Sequence, residues 1–414
     1  MRNLFDQYDQ PENKLTHALV CALQEDPNLI RPFLRWLGVQ GVPPARHIHI
    51  VQQQVPGVLV SGSEDESGSL PDACFYDDEG WAVLVESKVQ SGINVNQLKR
   101  HAKKARRCGF ENPQLILISV DRPAATLPNS ILNVEWRQVY EWFHRRATHS
   151  EWAKRFVEYM HVFESKMIAQ NYQIRGTLTM FDGLYFDEEN PYTYNEGKRL
   201  IRLLGDELQK NPRLRKLGVD PKGHRRPAIT GRGQSEVWDF LPLIVARKAG
   251  QHTKFPHLTI GLRLRHATAA ITVPNGVGGG FRTKLREMGR DGFEELISGI
   301  EARLRPVVQR TNAKPIIYAL QRHFRSQRSP GEVDARLDAD LRTFAGDSRG
   351  RVKRQPHWVD TIYAVLCDKR SNIQLGIEVQ FGYDCKEIRS RKAVGLFAES
   401  WIAMSSILRC VLGR

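Results

Sequence analysis

One stretch, Trp81–Val89, restricts the folds open to this 414-residue chain more than any other. Val83, Leu84 and Val85 are apolar at successive positions, so both faces of a strand there must be covered. The run then ends in Glu86-Ser87-Lys88. Charges on a buried strand need an ionic partner or a metal. Upstream, Leu70–Tyr76 is a second strand-like run, and Asp77-Asp78-Glu79-Gly80 between the two has the composition of a hairpin turn. Side chains alternate along a strand, so Glu86 and Lys88 share a face. The hairpin can bring Asp72, next to Pro71, to the same place.

Two carboxylates that close together form a hard-oxygen site suited to Mg²⁺ or Mn²⁺. A lysine beside them can position or deprotonate a water and offset phosphate charge. Phosphodiester hydrolysis asks for these parts: a metal to polarise the phosphoryl oxygen, an activated water, and charge stabilisation in the transition state. A plainer reading is a solvated edge strand with Asp72 starting a turn. That reading leaves the apolar run leading into the charged pair without a cause.

Around the hairpin the chain reads α-β-β-β-α-β, followed by helices. Asp9-Gln-Pro-Glu12 carries helix-start residues, and Leu15, Leu19, Ala22 and Leu23 fall on one face of the helix that follows. Pro27 and Pro32 mark a break or a second short helix ending near Trp36. His47–Gln52 alternates as a strand does, and Ser61–Ser69 is a loop. Val95–Arg107 is a basic helix stopped by Gly109, and Gln114–Val120 suits a buried strand. Glu135–Arg146 and Glu151–Met167 are helical.

Pro71-Asp72 followed by Glu86-x-Lys88 on the next strand, in this element order, resembles the PD-(D/E)xK nuclease superfamily over about residues 5–150. The resemblance implies an α/β fold with a restriction-endonuclease-like α-β-β-β-α-β core and flanking helices. It implies that Asp72 and Glu86 ligate Mg²⁺ or Mn²⁺ and that Lys88 positions or activates water. Glu12, on the helix before the sheet, would be an extra ligand or a group beside the metal. Glu12 also has another reading, as the end of a capping box opened by Asp9. Some branches carry Gln-x-x-x-Tyr on the helix after the lysine; here Gln97 is followed by His101.

Charge divides the chain. Residues 1–165 hold 18 basic against 20 acidic residues, and residues 166–414 hold 43 against 26. This places a nuclease domain over 1–165 and a basic α+β domain over 170–414, the latter for nucleic-acid or partner binding. The six cysteines form no C-x-x-C pair, which argues against a zinc ribbon and favours a reducing cytoplasm. No apolar run approaches the ~20 residues of a membrane span. The N-terminus lacks the apolar core of a secretion signal. A soluble, cytoplasmic protein without a membrane partner is expected.

In the basic half, Glu196–Gln209 and Asp291–Gln309 read as helices, and Leu258–Leu264 and Ala269–Val273 as strands. Pro221–Gly233 reads as a basic, Gly/Pro-containing loop, and Ser326–Gly350 as another polar stretch. Pro274–Lys284 is Gly-rich but lacks the G-K-[ST] ending of a phosphate-binding loop. A fainter echo of the first motif runs from Asp360 through Thr361–Leu366 and a turn to Ile373–Phe381, which carries Glu378-x-Gln380. The simpler reading is an ordinary hairpin; the alternative is a second, degenerate nuclease-like module around 301–410.

The expectation is a Mg²⁺-dependent deoxyribonuclease, an endonuclease on DNA, with structure-specific RNA as the alternative substrate. Bacterial restriction or phage defence enters by analogy alone. The rival is a non-catalytic nucleic-acid-binding or assembly protein on a decayed nuclease fold. A third reading is an enzyme held latent until a partner or small ligand binds the C-terminal domain, which is also the expected contact for a homo-oligomer or protein partner.

Overall fold

The computed structural model describes residues 8, 10–57, 70–92, 94–120, 127–169, 176–187, 189, 191, 193–223, 236–249, 254–274, 281–323, 332–345, 353–367 and 373–413. The chain is mixed α/β and divides into two compact units, Met1–Met180 and Phe181–Arg414. The first unit runs past the expected end near residue 165, because Leu178 belongs to its core and Glu164 accepts the Leu178 amide at 2.7 Å.

The first unit begins with α1 (Pro11–Glu25) and α2 (Ile30–Trp36). Then come β1 (His49–Gln52), β2 (Ala73–Tyr76), β3 (Ala82–Lys88), α3 (Val95–Arg107), β4 (Gln114–Ser119) and β5 (Ile131–Glu135). It closes with α4 (Trp136–His144) and α5 (Glu151–Ala169). Strands lie in the sheet in chain order. β1, β2 and β3 are antiparallel, and β3, β4 and β5 are parallel. The Ser61–Ser69 loop lies outside the described residues. β5 was not expected from the sequence: five residues, Ile131-Leu-Asn-Val-Glu135, are too short to show a period.

β3 is the central strand, and its alternate residues feed two cores. Val83 and Val85 pack with α1, α2, α4 and α5, while Ala82 and Leu84 pack with Leu98, Ala102 and Ala105 of α3. Each buried Val or Leu among them contributes about 1.5–3 kcal/mol. The hairpin before β3 is closed by Asp77, whose Oδ1 accepts the amides of Glu79 (3.0 Å) and Trp81 (2.8 Å). Gly80 supplies the positive φ (92°) there. At the far side of the site, Asn94 caps α3 by accepting from the Asn96 and Gln97 amides. The helix stops where Gly109 turns left-handed (φ 99°) and the Phe110 amide bonds back to the Ala105 carbonyl.

The second unit is a six-stranded antiparallel sheet. Its strands are β6 (Glu236–Leu241), β7 (His257–Arg263), β8 (His266–Val273), β9 (Lys314–His323), β10 (Glu332–Asp340) and β11 (Ile373–Gly382). They lie in the order β10-β9-β11-β8-β7-β6. The helices are α6 (Tyr194–Lys210), α7 (Pro212–Arg215), α8 (Ile244–Ala249), α9 (Phe281–Thr311), α10 (Arg342–Ala345), α11 (Pro356–Cys367), α12 (Lys392–Ala403) and α13 (Ser405–Leu412). α9 is kinked at Gly289 (φ 73°). One sheet face, with Ile377, Val379 and Phe381 of β11, joins these helices in a single core. Among the described residues no single helix is long and apolar enough to cross a membrane.

This unit departs from the sequence reading in two places. The polar stretch 326–350, to which the sequence assigned no element, contains β10 and α10. β10 alternates Val333, Ala335, Leu337 and Ala339 with charges at an exposed edge, where charged residues block further strand pairing. The segment after Asp360 is helix α11, not a strand. Its buried Val359, Ile362 and Leu366 recur at helical spacing, which outweighs the β-branched composition. The Pro221–Gly233 and Pro274–Lys284 stretches lie mostly outside the described residues.

Candidate active site

The pairing of β2 with β3 aligns Ala73 with Val85. One residue further along the same register, Asp72 faces Glu86. Asp72 sits just before β2 rather than within it, and its Oδ2 accepts the Ser87 amide at 2.6 Å. Glu86 shares the face of Ala82 and Leu84, so it points beneath α3, where it is only 3% exposed.

Three side chains satisfy that buried carboxylate. Lys88 Nζ donates to Oε1 at 2.7 Å, Gln97 Nε2 donates to the same oxygen at 2.8 Å, and His101 Nε2 lies 3.1 Å from Oε2. Gln97 and His101 are one helical turn apart on α3, so both reach the same group. His101 is 1% exposed and its Nδ1 has no partner. Nε2 is thus the ring nitrogen that meets the carboxylate, while Nδ1 faces no acceptor. The sequence reading saw the His101 position only as a departure from a tyrosine; its spacing from Gln97 was the available signal.

Glu12 approaches from the opposite side of the sheet, at the first turn of α1. Its Oε1 accepts the amides of Val89 (3.3 Å), Gln90 (2.9 Å) and Ser91 (3.0 Å), and the Ser91 hydroxyl (3.0 Å). At Oε1 the carboxylate thus bonds to a segment distant in sequence, a contact the capping-box reading did not include. Gln10 is the N-cap residue and makes no side-chain cap, while Asp9 lies outside the described residues. Glu12 fastens the segment leaving β3 to the start of α1.

Glu12, Asp72, Glu86, Lys88 and Gln97 line an open cavity of about 490 Å³ at the first turn of α1, the ends of β2 and β3 and the 90–91 segment. Burial and the neighbouring charge of Glu86 push the Asp72 carboxyl up to about 7, against the Ser87 amide and Lys88, which pull it down. Burial also pushes Glu86 upward, but the His101 and Lys88 contacts outweigh it and hold its carboxyl below the usual range. Glu12 is likewise held low: burial opposes ionisation, and the amides of Gln90 and Ser91 more than compensate.

Among the described residues no group of three or more His, Cys, Asp or Glu side chains forms a metal cage. Mg²⁺ asks for less: one or two carboxylates, with water and substrate phosphate completing its oxygen shell. Asp72 and Glu86, on the wall of an open cavity and short of positive charge at Asp72, fit that demand.

The echo in the second unit does not assemble a matching pair. Asp360 is exposed on α11 and bonded to Arg290 at 2.7 Å. Glu378 is buried in β11, 2.6 Å from Gln380, with Arg263 at 3.5 Å and Arg336 at 3.7 Å. Burial raises the Glu378 carboxyl despite Arg263.

No protein-family model matches this chain, and no curated protein compared with it does either.

Proposed function

We propose that this protein is a metal-dependent nuclease that hydrolyses DNA phosphodiester bonds at the cavity of its first unit, on a restriction-endonuclease-like core. The observation that carries the reading is the placement of Asp72 opposite Glu86, with Lys88 and Glu12 on the same cavity wall. Asp72 and Glu86 would hold Mg²⁺ or Mn²⁺, which when bound supplies Lewis-acid polarisation of the phosphoryl oxygen and a more acidic water.

The remaining chemistry belongs to the chain. Lys88 brings a positive charge to the cavity wall, where it orients water and balances charge on the phosphoryl oxygens. Gln97 and His101 fix the orientation of Glu86. Glu12 holds the 89–91 segment, and with it the end of β3 that carries Lys88. A place in restriction or phage defence remains an analogy from the resemblance.

One observation favours the non-catalytic reading. Both oxygens of Glu86 are already engaged by protein donors, so the site is self-satisfied at that residue. Nicking of supercoiled plasmid with Mg²⁺ or Mn²⁺ decides between them. Wild type is expected to nick, and Asp72→Ala, Glu86→Ala and Lys88→Ala each to abolish it. Nicking that survives all three substitutions would remove the site assignment; binding without nicking by wild type would support the non-catalytic reading.

A further inference from the structure

The first unit is near neutral overall, yet α3 carries six cations in 13 residues, Lys99, Arg100, Lys103, Lys104, Arg106 and Arg107, and no acid. The fold uses the other side of the helix completely. Leu98, His101, Ala102 and Ala105 are buried against β3 and β4. The cations occupy what remains, with Lys99, Arg100, Lys103 and Arg106 exposed and Lys104 and Arg107 half-buried.

Helical spacing organises them relative to the cavity. Gln97, which lines the cavity, starts a ridge that continues through Arg100, Lys104 and Arg107 at steps of three, four and three. Lys99, Lys103 and Arg106 form a parallel row beside it. At 1.5 Å per residue the ridge runs about 15 Å from the cavity. Like charges three and four residues apart destabilise a helix by a few tenths of a kcal/mol per pair. A polyanion laid along the helix would relieve that repulsion.

We infer that the exposed face of α3 is a track for the phosphate backbone of a nucleic acid, leading it into the cavity at Gln97. The inference rests on the nuclease reading only for what happens to the phosphate at the end of the track. It assigns backbone contact to a helix of the first unit, whereas net charge alone points to the second.

The test is binding of the full chain in EDTA, where hydrolysis plays no part, to a fluorescently labelled 30-base-pair duplex and to one of its single strands. The variant Lys99→Ala/Arg100→Ala/Lys103→Ala/Arg106→Ala removes four exposed cations. A charge-matched control, Lys210→Ala/Arg213→Ala/Arg215→Ala/Lys216→Ala, removes four exposed cations from the second unit. The expected result is at least a tenfold loss of affinity for the α3 variant on the preferred probe. Its log-affinity against log-salt slope should become shallower by about 3–4 on duplex, since each phosphate contact contributes about 0.9. The control should keep most of both. Unchanged affinity and slope in the α3 variant, an equal loss in the control, or no binding by wild type to either probe would overturn the assignment. Track-dependent binding without nicking would sustain it while removing the catalytic reading. Thermal melting of both variants checks that the fold is intact.

Discussion

Asp72 is the residue at which the proposed chemistry should be most visible as a cost to stability. Its carboxyl moves from an ordinary 3.8 to about 7 on folding, first through burial and then through Glu86. Between those two values the folded chain binds more protons than the unfolded chain, so wild-type stability falls as pH rises from 3.8 to 7. About three units at 1.36 kcal/mol each put the cost at about 4 kcal/mol above pH 7. Asp72→Asn removes the charge and retains an oxygen to accept the Ser87 amide. In EDTA the variant should therefore be more stable than wild type by about 4 kcal/mol at pH 8, about 3 at pH 6 and less than about 1 at pH 4. Amide exchange in the β2–β3 ladder is the suitable assay, because a chain of two units need not unfold in one step. A pH-independent difference, or a variant less stable than wild type at pH 8, would refute the electrostatic account. The same substitution should abolish metal-dependent nicking, an exchange of activity for stability expected where like charges are held together for function.

Three further outcomes follow from the geometry. His101→Ala should lower nicking 10- to 100-fold by releasing one oxygen of Glu86, as loss of an orienting partner does at metal sites; normal turnover in a folded variant would remove its positioning role. Gly376→Ala would place a Cβ 2.0 Å from Tyr318 Cζ on the neighbouring strand, and should cost the second unit about 1–3 kcal/mol or more, read as a lower melting temperature. His266 is held down at about 4 by burial and by Arg263 and Lys314. The unfolded chain then binds the extra proton between pH 6.5 and 4, so stability present above pH 6.5 is lost as pH falls through that window. Because the ring is partly exposed, solvent screening reduces the effect to about 1–2 kcal/mol, measured as the pH-dependent difference from His266→Asn.

Much of the first unit was legible because its signals are local. Val95–Arg107 was legible from its composition and from Gly109 as a stop, and the structure places α3 over the same residues. The hairpin at 77–80 was legible for the same reason, since Asp77 and Gly80 act within four residues. α11 was misread because β-branched side chains are a weak guide when helical spacing competes with them, and β10 was missed because an edge strand is charged by design against pairing.

By itself the sequence determined that Glu86 and Lys88 end a buried strand on one face, with Asp72 within reach across a turn. Tertiary structure alone decided what Glu12 and His101 do. Glu12 meets the 89–91 amides 77 to 79 residues away, and His101 meets Glu86 only because α3 folds back over β3. Alternation and helical period act over a few residues and are written in the chain. Which two distant segments pack against each other depends on the burial of whole faces, and no short pattern encodes that.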